Sequence, residues 1–205
     1  MGSLAILAIL AGSLAGALVA GGLVLVWARL SHTPGRALGF TAPRSWTATV
    51  AAGVLLGIAF KLGMKALVMP LLGAPAINPR YHYLVGDPAA LAGMVAAVLV
   101  GGGFAEELFF RGYFFERLGK LLGRGRVALA VTIVVSATLF ALGHYQDQRL
   151  PGVEQALVTG LVFGGIFAWR KQLWGVMIAH AAFDLTALAL IYWDWEAPVA
   201  HLLFP

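Results

Sequence analysis

The sequence predicts an all-α bundle of about six membrane-spanning helices, and three observations carry that prediction. Of its 205 residues, 60% are hydrophobic and 11% charged, with a mean hydropathy of +0.87, more apolar surface than one water-soluble core can hide. The apolar residues fall in long runs, each near the roughly 20 residues that cross a bilayer. The basic residues lie mainly between those runs and segregate to alternate loops.

The first run extends from about Leu4 to Leu30. It lacks a basic leader and exceeds a signal-peptide core in length, so we read it as a retained span. The second runs from about Trp46 to Leu72. The third starts near Pro88, stays apolar to Gly103 and continues in helical residues to Leu122, with a kink expected at Gly101, Gly102 and Gly103. The last three run from about Val127 to His144, Gly152 to Trp169 and Leu173 to Trp193. Their short connections predict antiparallel neighbours. Gly and Pro clusters at Thr33–Gly35 and at 73–79 mark loops. No internal repeat or second domain is visible, so residues 1–205 read as one membrane domain. Within it, 1–87 hold two spans and their loops, and 88–193 hold the polar core.

Nine of the fourteen basic residues (Arg29, Arg36, Arg44, Arg117, Lys120, Arg124, Arg126, Arg170 and Lys171) fall on one face of this arrangement. Only Arg80 and Arg149 fall on the other, which by the positive-inside rule predicts outward-facing termini in a prokaryotic plasma membrane. The formal charge of +5 is thereby explained as membrane orientation, and nucleic acid is excluded as a partner. No cysteine is present, which removes thiolate catalysis and disulfides from consideration.

Function must reside in charges placed where charge is expensive. An ionised side chain at a helix centre costs roughly 2.5 to 3.5 kcal/mol, so Glu106, Glu107, Arg111 and Asp184 together represent about 10 kcal/mol before compensation. Glu107 and Arg111 stand at i and i+4, which suits an ion pair. Glu106 points about 100° around the helix from Glu107 and needs a partner from another helix. His144 shares a face with Phe140, and His180 shares one with Asp184. Lys61 and Lys65 form another i, i+4 pair. We favour their snorkelling to the interface, the alternative being that they line a cavity and attract a substrate carboxylate.

Glu106-Glu107-Leu108-Phe109-Phe110-Arg111-Gly112 resembles the EExxxRG motif of the CPBP family, the CAAX proteases and bacteriocin-processing (Abi) enzymes. Phe140 to His144 resembles its FxxxH motif, and His180 to Asp184 its HxxxN/D motif, in the same order along the chain. The resemblance covers roughly Leu91 to Leu190 and implies a CAAX-protease-like core. It implies catalysis by Glu106, His144, His180 and Asp184, supported by Glu107 and Arg111, with Phe140 near the substrate. Asp184 stands where well-studied CAAX enzymes carry Asn.

As chemistry, Glu106 and His144 would activate a water, while His180, oriented by Asp184, would donate to the oxyanion. The same Glu106, His144, His180 and Asp184 also form a plausible set for zinc or another divalent metal. We favour no cofactor, noting the missing HExxH helix motif. The implied partners are the lipid bilayer and a protein or peptide substrate, with lipidation open. Because straight helices would leave these groups at different depths, a glycine kink or a water-filled cavity is required. A proton-coupled transporter or a silent scaffold or immunity protein are the competing functions.

Overall fold

A computed structural model describes residues 14–123 and 125–204, and every regular element among them is helical. In chain order these are α1 (Leu14–Leu30), α2 (Trp46–Leu71), α3 (Pro88–Leu122), α4 (Arg126–Gly143), α5 (Tyr145–Arg170), α6 (Leu173–Tyr192) and a short α7 (Glu196–Ala200). Helices α2 to α6 are each long and apolar enough to cross a membrane. Residues 4–13 of the expected first span lie outside the described residues. The chain is a multi-pass integral membrane protein.

The helix starts follow local chemistry. Ser45 caps α2 by accepting from the Ala48 amide at 3.2 Å. Asp87 caps α3 by accepting from Ala89 and Ala90, both at 3.0 Å, and Pro88 occupies the first turn, where a missing N–H is harmless.

At the three glycines α3 widens into π-helical turns over Val98–Glu106 and again over Leu108–Tyr113. Such turns recur at functional sites because they re-aim side chains without breaking the helix. The break comes elsewhere. Helix α5 begins earlier than the expected Gly152 and is interrupted at Arg149 (φ 56°, ψ −152°), two residues before Pro151, whose ring and missing N–H prevent a continuous helix.

The neighbours also differ from the expectation. Helices α4 and α5 pack side by side, but α6 packs chiefly along α2. A Cβ on Gly57 would collide with the Ala179 carbonyl and lie 2.6 Å from the Ala182 Cβ, so glycine sets how closely α2 and α6 approach. Gly21 does the same where α1 meets Ala105 of α3. Small residues at crossings are the usual means of association where lipid removes the hydrophobic drive.

Candidate active site

The polar centre is built from α3 outward. Arg111 is 1% exposed and Glu107 is fully buried; Arg111 Nη1 donates to Glu107 Oε1 at 2.7 Å along one helix face. The guanidinium lies over Phe140 (4.9 Å) and Phe163 (5.9 Å) and reaches the Gly160 carbonyl at 3.4 Å. Aromatic faces and a paired carboxylate are what a buried cation requires.

The same Glu107 oxygen accepts from His180 Nδ1 of α6, also at 2.7 Å. One carboxylate oxygen therefore fixes both the arginine and the imidazole. The sequence assigns the orienting of His180 to Asp184; its short hydrogen bond is donated to Glu107, while Asp184 Oδ2 stands 3.5 Å from Nε2 on the other side of the ring. Phe140 and Phe163 pack against the imidazole with ring centroids 5.8 and 5.5 Å away.

Glu106 meets the cross-helix partner it needed, with Oε2 4.0 Å from His180 Nε2. Its carboxylate has no protein hydrogen bond among the described residues, and its side chain is 22% exposed toward a cavity. His144 ends α4, with Nδ1 2.9 Å from the Phe140 carbonyl. A carbonyl only accepts, so Nδ1 carries the proton and the Nε2 lone pair is left available.

Glu106, Phe140, His144, His180 and Asp184 line one cavity of about 490 Å³, within the range of small-molecule and peptide sites. Its outer wall comes from the 73–81 loop, the Asp147–Gly152 turn and Glu196, all at the end of the bundle poor in basic residues. Arg80 and Asp147 bridge two of these segments at 3.2 Å.

Lys61 and Lys65 line the same cavity, each 8% exposed, so the favoured snorkelling expectation does not hold. Partners distant in sequence retain them. Lys65 pairs with Glu196 at 2.8 Å, and Lys61 donates to Gln155 at 2.9 Å beneath the Phe183 ring. Sequence reading passed over Gln155 and Glu196. The available signal was that two lysines inside an apolar span need acceptors, and Gln155 is a polar residue in the fifth span. Gly102 was read only as a kink, but a Cβ there would stand 2.6 Å from Asp184 Oδ2.

Among the described residues, no group of three His, Asp or Glu side chains is arranged to hold a metal ion.

Residues 88–186 match the family model described as type II CAAX prenyl endopeptidase Rce1-like. That match takes in just under half of the chain and covers the segment that carries Glu106, Glu107, Arg111, His144, His180 and Asp184. The chain is also 23% identical over 129 residues to the membrane-embedded CAAX protease MroQ of Staphylococcus aureus (strain USA300), a match covering 62% of this chain and 51% of that protein. The chain thus spans about half the length of the curated relative it matches. No solved structure matches it. The matched segment begins at the first residue of α3 and includes Glu106, Glu107, Arg111, His144, Gln155, His180 and Asp184, while Lys61, Lys65 and Glu196 lie outside it.

Proposed function

We propose that this protein is an intramembrane endopeptidase that hydrolyses a peptide bond in a membrane-associated protein or peptide, using a water activated by glutamate and histidine. The observation that carries this reading is the arrangement around His180. The imidazole is clamped by the buried Glu107–Arg111 pair, and its other nitrogen faces Glu106, a carboxylate open to the cavity. The match of residues 88–186 to the CAAX-endopeptidase family model supports the reaction class.

In this mechanism Glu106 and the Nε2 lone pair of His144 hold a water against the scissile carbonyl. Attack forms the C–O bond as the water's proton passes to Glu106. His180 donates from Nε2 to the oxyanion, and this requires protons on both ring nitrogens because Nδ1–H is committed to Glu107. Collapse breaks the C–N bond, and Glu106 returns its proton to the departing amine. Asp184, beside His180 Nε2, helps balance the imidazolium charge. A buried, preorganised donor of this kind is worth about 10²-fold to 10³-fold in rate.

The test needs no known substrate. The full chain, reconstituted with a membrane-protein extract, is compared with Glu106→Gln and His180→Ala by mass spectrometry of newly formed peptide termini. Termini produced by the wild type and absent from both folded variants are expected; identical termini from all three would refute the assignment and leave a non-catalytic scaffold. We also propose that the reaction is metal-independent. The same termini should persist after exhaustive chelation, and their loss on chelation with recovery on adding zinc would refute that part.

A further inference from the structure

The two buried lysines of α2 have different surroundings, and the difference points to a ligand. Lys65 has its counter-charge: its ammonium meets Glu196 Oε1 at 2.8 Å, and the two Glu196 oxygens also accept from the Asn78 amide at 3.2 Å each. Lys61, one turn away on the same face, has no carboxylate within ion-pair distance among the described residues. Its one protein acceptor is the neutral Oε1 of Gln155 at 2.9 Å, and Phe183 covers one side at 4.9 Å. An ammonium has three donors, so two remain for the cavity that Lys61 lines. Gln155 lines that cavity too. Because its Oε1 accepts from Lys61, its amide nitrogen presents two further donors beside the ammonium.

We propose that Lys61 and Gln155 form a carboxylate-binding subsite that anchors the substrate in the cavity of the active centre. The inference rests on the peptidase reading of that cavity and adds a specificity element to it. A carboxylate fits this pair because the ammonium supplies charge and the amide supplies further donors. A phosphate would bring a second negative charge into a cavity that Asp184 and Glu106 also line. The carboxylate comes either from the C-terminus of the substrate or from an Asp or Glu side chain near the cleaved bond. Lys61 lies on α2, outside the matched segment 88–186, and Gln155 lies inside it, so the subsite joins the N-terminal part of the chain to the segment that carries the chemistry.

The test is binding rather than cleavage. The full chain carrying Glu106→Gln, which keeps peptides intact, is purified in micelles and titrated with three fluorescein-labelled apolar hexapeptides. One has a free C-terminus, one is C-terminally amidated, and one is amidated but carries an internal Glu. The free-acid or Glu-bearing peptide is expected to bind roughly ten- to hundredfold tighter than the neutral one, the worth of a charge-assisted hydrogen bond in a desolvated site. Which of the two does so identifies the source of the carboxylate.

The preference should vanish with Lys61→Met, weaken with Gln155→Leu and survive Lys61→Arg. Equal binding of all three peptides, including no measurable binding, overturns the subsite, as does a preference that persists in a folded Lys61→Met chain. A lysine-dependent preference in a protein whose wild type cleaves nothing would leave the subsite standing and refute the peptidase reading.

Discussion

Gly102→Ala separates geometry from stability at the active centre. A Cβ at this position would lie 2.6 Å from Asp184 Oδ2, whereas ordinary contact begins at 3.4 Å, so the carboxylate must retreat by about 0.8 Å. It has room to do so because its side chain is 26% exposed to the cavity. Replacing glycine by alanine inside a helix favours folding by about 1 kcal/mol, which offsets the displacement. Folding should therefore be neutral within about 1 kcal/mol. The chemistry should suffer, because Asp184 faces His180 Nε2, and a misplacement near 1 Å can lower a rate about 10²-fold. The paired measurement is a thermal melt in detergent and the yield of new peptide termini from reconstituted membranes. An unchanged melt with termini reduced ten- to a hundredfold, roughly, is expected. An unchanged yield would refute the reasoning, since it would mean that the position of Asp184 is immaterial.

Glu107→Gln leaves a buried guanidinium without its counter-charge and should destabilise the protein by about 3 to 5 kcal/mol. Adding Arg111→Met should restore much of that loss without restoring hydrolysis; additive losses in the thermal melts would show that the pair does not act as a unit. If the positive-inside reading of the loop charges holds, the 148 turn that lines the cavity faces outward and Arg36 inward, and the sequence offers no cysteine to compete. A Gln148→Cys chain should react with a membrane-impermeant maleimide in intact cells, whereas Arg36→Cys should react only after lysis; the opposite pattern would invert the topology.

The spans were legible because bilayer thickness imposes length and apolarity directly on sequence, and α2, α4 and α6 begin and end within a residue or so of their expected bounds. The ion pair of Glu107 and Arg111 was legible for the same local reason, since i, i+4 spacing brings the two together wherever the helix lies. What crosses between helices was not. The bond from Glu107 to His180 spans 73 residues, and that from Lys61 to Gln155 spans 94. No periodicity encodes such partners, so the lysines read as snorkelling and Asp184, four residues from His180, read as its orienting group. The glycine run was recognised as special, but whether it would kink or widen α3 depends on what it packs against. Asp184 and Ala181 of α6 lie where Gly102 and Gly103 would carry side chains.

Glu196 reaches Lys65 across 131 residues of chain, and Asn78 across 118. During synthesis α2 therefore enters the bilayer long before the anion that neutralises it has left the ribosome. Until α6 has crossed and α7 folds back, that lysine lacks the carboxylate that pairs with it in the folded chain. Because Glu196 lines the cavity, the arrival of α7 also completes this wall, after every group of the polar centre has already been made.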